Sequence, residues 1–127
     1  MNFNENQAIY LQIANIVCDR ILSGVWKANE RIPSVRELAV ELQVNPNTVM
    51  RAYEHLQQEQ VLYNRRGIGH HVTENSIDLI IHSRKQHYFD HELPHLFHNL
   101  RLLGINPETL KNKYEQHIQN LSKNENQ

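Results

Sequence analysis

The sequence of 127 residues holds one cysteine, Cys18, so it cannot close a disulfide within itself. Cys18 lies inside an apolar helical pattern, which reads as a buried free thiol in a reducing compartment. No apolar run approaches the roughly 18 residues that suggest a membrane span. The N-terminus is polar and has no apolar stretch of the kind a secretory signal carries. A cytoplasmic protein without membrane contact is the expectation. Enzyme motifs are also missing. There is no glycine-rich phosphate loop, no Cys-x-x-Cys pair, no His-Glu-x-x-His and no Gly-x-Ser-x-Gly. No enzymatic activity, cofactor or resident metal is therefore expected, and no motif identifies a small-molecule effector. Internal repeats and low-complexity tracts are absent too.

An excess of positive charge is the last thing lacking. The formal net charge is −1. Residues 1–74 hold seven Lys and Arg against eight Asp and Glu, and residues 75–127 hold six of each. Affinity for nucleic acid comes largely from neutralised phosphates. Any such surface here must arise from the local placement of a few arginines.

What is present is a strong helical pattern. Over residues 7–23, Tyr10, Ile13, Val17 and Ile21 recur on one face, and Gly24 is placed to end the helix in a left-handed conformation. Within the connection at 25–32, Arg31-Ile32 reads as a short strand. Ser34-Val35-Arg36-Glu37 matches a capping box, opening a helix to about Gln43 that turns Val35, Leu38, Ala39 and Leu42 inward. Asn45 is an N-cap and Pro46 a first helical residue for a third helix. That helix buries Val49, Ala52, Tyr53 and Leu56 and leaves Asn47, Thr48, Arg51 and His55 on its other side.

Two short helices joined in this way make a helix-turn-helix, whose second helix enters the DNA major groove. Asn47 can pair with adenine, Thr48 can meet a phosphate or a thymine methyl, and Arg51 can reach guanine or phosphate. Arg36 in the first turn of the preceding helix suits the groove edge. The Ser34 amide can donate to a phosphate at a helix N-terminus, and Asn45 is a cap first and a phosphate contact second. After this unit, Val61-Leu62-Tyr63 and His71-Val72-Thr73 read as paired strands around Arg65-Arg66-Gly67-Ile68-Gly69. Gly67 and Gly69 permit positive φ angles and close approach to a phosphate backbone. Strand alternation sends Arg65 and Arg66 to opposite faces. The whole is a winged helix over residues 1–75.

Beyond Glu74-Asn75-Ser76 the pattern is helical again. Phe89, Leu93, Leu96, Phe97, Leu100 and Leu103 share a face, which Pro94 should kink or split, and Gly104 ends the helix. Asn106-Pro107-Glu108 opens a last helix with Leu110, Tyr114, Ile118 and Leu121 in one stripe. Two such helices are too small for a core of their own, so residues 76–121 are expected to dimerise the chain. The polar stretch 122–127 reads as a disordered tail. A two-fold dimer sets two recognition helices about 34–36 Å apart, one DNA turn. The histidines at 87, 91, 95 and 98 form a narrow stripe, which admits an alternative reading as a metal- or pH-responsive regulator. A winged helix used for protein–protein contact is the other alternative.

The combination Ile32-Pro33-Ser34-Val35-Arg36-Glu37-Leu38-Ala39, Val44-Asn45-Pro46-Asn47-Thr48-Val49, Arg51-Ala52-Tyr53-Glu54-His55-Leu56 and Arg65-Arg66-Gly67-Ile68-Gly69 resembles the N-terminal domain of the GntR family of bacterial transcription regulators. The Asn-Pro-Asn-Thr-Val form and the short two-helix tail look like its YtrA-like branch, which lacks a large effector domain. The resemblance implies a mainly α fold with a small β-wing and a C-terminal dimerisation tail. It implies DNA contacts at Arg36, Asn47, Thr48 and Arg51, with Arg65, Arg66 and Gly69 in the wing. It implies a homodimeric repressor on a palindromic operator in double-stranded DNA. The sequence departs from the family pattern at Ala28-Asn29-Glu30, where Pro-Gly-Asp is frequent, and at Gln60, where glycine is usual. Pro46 stands in place of a common arginine, and His70-His71 replaces Thr-Phe.

Overall fold

The fold comes from a computed structural model that describes Phe3 and residues 6–125. Two compact units divide the chain at Arg84 and Lys85. The first holds α1 (Ile9–Leu22), α2 (Val35–Leu42), α3 (Pro46–Gln58), β1 (Leu62–Arg65), β2 (Gly69–Val72) and the first turns of α4 (Ser76–His87). The sequence places a boundary at 75/76, but α4 begins inside this unit. Ser76 and Ile80 are buried in it, and Arg84 donates to the Asp19 carboxylate at 2.8 Å and to the Asn15 carbonyl at 3.3 Å.

The core is a three-helix cluster closed by the hairpin. Ile13, Val17 and Ile21 of α1 meet Leu38 and Leu42 of α2, Val49, Tyr53 and Leu56 of α3, and Leu62 and Val72 of the strands. Helix ends follow the local chemistry. Gly24 at φ 83° completes a Schellman motif, in which Val25 N–H donates to the Arg20 carbonyl at 2.9 Å. Gln43 at φ 57° turns the chain from α2 into the loop before α3.

β1 and β2 pair antiparallel, with Leu62 opposite Val72 and Arg65 opposite Gly69. The Arg31-Ile32 segment forms an isolated bridge to His71 rather than a full strand. Ile32 N–H donates to the His70 carbonyl and Val72 N–H to the Glu30 carbonyl, each at 3.0 Å.

In the second unit, a π-helical turn (Tyr88–Glu92) leads to α5 (Leu93–Leu103), and α6 (Pro107–Glu125) follows. Pro94 accounts for the π turn. It has no N–H, and its ring crowds the carbonyl four residues back. The hydrogen bonding widens, and Leu93 N–H donates to the Tyr88 carbonyl five residues away. Gly104 at φ 68° stops α5. Asn106 caps α6, its Oδ1 accepting from Thr109 N–H at 2.8 Å. α6 stays helical through Glu125, so residues 122–125 are not the disordered tail expected. Each added residue of an established helix gains a hydrogen bond without a new nucleation cost. Residues 126 and 127 of that expected tail lie outside the described residues. No residue described from Lys85 onward is buried. Among the described residues, no helix is long and apolar enough to cross a membrane.

Candidate nucleic-acid interface

The turn between α2 and α3 is held at both ends. Ser34 Oγ accepts from Glu37 N–H at 3.1 Å, and Ser34 N–H donates to Glu37 Oε1 at 3.0 Å. The Ser34 amide, foremost, and the Ser34 hydroxyl hold the Glu37 carboxyl below its ordinary pKa of 4.5. One expectation is corrected: the Ser34 amide is not free for a phosphate, because Glu37 Oε1 occupies it. At the next cap, Asn45 Oδ1 accepts from Asn47 N–H at 2.8 Å, and Pro46 is the first helical residue. The Tyr53 hydroxyl donates to the Pro33 carbonyl at 2.7 Å and ties α3 to the approach to α2. Burial drives the Tyr53 pKa upward, so the phenol stays a donor.

Val49, Ala52, Tyr53 and Leu56 anchor α3 in the core. Asn47 and Arg51 are exposed on its opposite side, and Arg36 is exposed in the first turn of α2. Thr48 and His55 are half-buried instead of free. The N-terminal end of α1 comes against them. The Tyr10 and His55 rings meet edge-on at 6.0 Å, and His55 Nε2 lies 3.5 Å from Glu59 Oε1. The Arg51 guanidinium sits 4.0 Å over the Tyr10 ring. A shallow groove runs between Ala8, Ile9 and Tyr10 on one side and Asn45, Asn47, Thr48 and Arg51 on the other. Met50 and Glu54 also stand exposed on α3. Sequence reasoning passed over both, although Glu54 falls three residues after Arg51 and seven after Asn47, the spacing of one helical face.

In the wing, Arg65 ends β1 and Arg66 enters the turn, both exposed. Ile68 N–H donates to the Arg65 carbonyl at 2.8 Å, and Gly67 at φ 78° supplies the positive φ that a type II turn needs at its third residue. Gly69 has φ 136°. The two histidines that follow are structural. His71 is buried, its ring stacked on Tyr63 at 5.3 Å and its Nδ1 3.0 Å from the Gly69 carbonyl. His70 meets the Tyr53 ring edge-on at 4.9 Å.

The remaining candidates lie elsewhere. Cys18 is buried among apolar side chains, which pushes its thiol up to about 11 and keeps it protonated at neutral pH. The histidine stripe does not converge. The His87 and His91 rings lie 4.5 Å apart, while His95 Nε2 is 3.4 Å from Asn99 Nδ2. Among the described residues, no three His, Cys, Asp or Glu side chains are placed to share a metal ion. The π turn breaks the even angular spacing on which that alternative reading relied.

Comparison with known proteins gives the same picture. The family model for bacterial regulatory proteins of the gntR family matches residues 9–72. The repressor YtrA of Bacillus subtilis is 33% identical over 102 residues, spanning 80% of this chain and 78% of its own. A GntR-family regulator structure from Bacteroides thetaiotaomicron, at 46% identity, superposes with a TM-score of 0.82 over 90% of this chain and 99% of its own. A GntR-family structure from Listeria monocytogenes, at 32% identity, gives 0.72 over 90% and 98%. The chain belongs to the gntR family of bacterial regulatory proteins and is a DNA-binding transcription regulator, not an enzyme.

Proposed function

We propose that this chain is a cytoplasmic repressor that binds an inverted-repeat operator in double-stranded DNA as a homodimer. The observation that carries the reading is the two-sided character of α3: one side is wholly core, and the other presents Asn47 and Arg51 to solvent. In this reading Asn47, Thr48 and Arg51 read base edges and phosphates in the major groove, and Arg36 meets the groove edge. Ser34 and Asn45 act first as caps that hold Arg36 and Asn47 in place. Arg65 and Arg66, turned by Gly67 and Gly69, approach the flanking backbone.

The dimer reading is supported by residues 85–125, none of which is fully buried within the described chain. Phe89, Phe97, Leu102, Leu103 and Tyr114 are each more than half exposed. Apolar surface on this scale calls for a partner, and a second copy supplies a matching face under two-fold symmetry. The repressor role draws on the named activity of the B. subtilis relative. Occupying a promoter as a dimer would exclude polymerase.

Selection of bound duplexes from a random DNA pool tests the whole reading. The expected product is an inverted repeat whose half-sites are centred about one helical turn, roughly 10 base pairs, apart. A pool that shows no enrichment overturns the operator reading, and enrichment of a single asymmetric site overturns the dimer.

A further inference from the structure

Gly69 leaves space that another side chain uses. A Cβ built there would lie 3.1 Å from Nε of Arg31 and 3.7 Å from its Cζ and Nη2. Arg31 comes from the connection before α2, not from the hairpin. Its backbone is held by the bridge to His71 and by the flanking bonds of Ile32 and Glu30 to β2. The residue is exposed. Among the described residues, no carboxylate comes within 4.0 Å of its guanidinium. Its field reaches Glu37, but weakly, and the Glu37 Oε1 atom already accepts from Ser34 N–H. Across the hairpin, the register partner of Gly69 is Arg65. Arg31 from the connection and Arg65 from β1 thus adjoin one glycine, and among the described residues no acid is paired to Arg31.

We propose that Arg31 is a phosphate-binding residue of the wing, seated by Gly69 and acting beside Arg65. The inference rests on the DNA-binding reading and extends it to a residue outside the helix-turn-helix and hairpin motifs. An unneutralised guanidinium held on a bridged segment is suited to a phosphate oxygen, which it can engage with two N–H donors. Phosphates are alike in every sequence, so Arg31 strengthens binding without selecting bases. Gly69 then has two reasons to lack a side chain: its φ of 136° and the passage of Arg31.

The test compares wild type, Arg31→Gln and Arg31→Lys on the duplex recovered by random selection and on an unrelated duplex, across a salt series. The expected result is that Arg31→Gln weakens binding to both duplexes by the same factor. The slope of log K against log salt becomes shallower by about one. Arg31→Lys restores most of that slope, and both variants melt with wild type. Wild-type affinity and slope in Arg31→Gln would overturn the proposal while leaving the DNA-binding reading intact. So would an affinity loss that tracks a lowered melting temperature with the slope unchanged. A wild-type protein that retains neither duplex would bring down both.

Discussion

The Arg51 guanidinium lies 4.0 Å over the ring of Tyr10, so the first helix positions a side chain of the recognition helix. A ring beneath a guanidinium gives roughly 0.5–1 kcal/mol at an exposed site and restricts the rotamers Arg51 samples before contact. Tyr10 is itself met edge-on by His55. Arg51→Ala is expected to cost about 1–3 kcal/mol of specific binding if the arginine reads a base. Tyr10→Leu should lose part of that amount, and Tyr10→Phe, which keeps the ring, should lose little. A double-mutant cycle by fluorescence anisotropy measures the coupling. Additive losses would show that the ring does not position the arginine.

Two positions where the family favours glycine are left-handed here. Asn29 and Gln60 both have φ 66°. A left-handed conformation costs an ordinary L-residue roughly 1–2 kcal/mol, partly offset by the greater unfolded-state freedom of glycine. Asn29 is compensated, since its Oδ1 accepts from the Tyr63 hydroxyl at 3.3 Å. Gln60 is exposed; its backbone N–H donates to the Gln57 carbonyl at 3.0 Å, and among the described residues its side chain makes no hydrogen bond. Gln60→Gly should therefore stabilise the protein by about 0.5–1 kcal/mol, read as a higher urea midpoint with an unchanged m-value. An unaltered or lower midpoint refutes the strain.

Burial first, and the neighbouring His71 second, lower the His70 pKa from its ordinary 6.5. The folded state then binds a proton less readily than the unfolded chain, so the stabilising contribution is complete above 6.5 and disappears as pH falls through the depressed folded value. The urea midpoint of wild type should drop between pH 7.5 and pH 5.5 by more than that of His70→Phe, which keeps the edge-on contact with Tyr53. Parallel pH curves for the two proteins would rule out the shift.

Phe97 on α5 is 56% exposed. Phe97→Glu places a charge in the surface proposed for dimerisation, and burying an unpaired charge there would be costly. Sedimentation velocity should show a wild-type dimer and a variant shifted to monomer, with the melting of the first unit retained. A monomeric wild type would remove the argument.

Much of the first unit was legible in the chain because its signals are local. Ser34 with Glu37, Asn45 before Pro46, and Gly24 each meet the backbone demand of a helix end within a few residues. Val49, Ala52, Tyr53 and Leu56 recur at the helical period, so the buried side of α3 could be read directly. The same period assigned Thr48 and His55 to a free face, and there it misled. The approach of Tyr10 depends on how α1 crosses α3, which no spacing within α3 encodes.

Residue types and their spacing alone determined the caps, the helix periods, the glycine turns and the GntR pattern, since each depends on neighbours along the backbone. Tertiary structure decided the rest. It brought Tyr10 under Arg51, carried Arg31 to Gly69 and drew the first turns of α4 into the first unit through Ile80 and Arg84. These contacts join residues far apart in the chain. Their geometry follows from packing a common core, which local propensity does not specify.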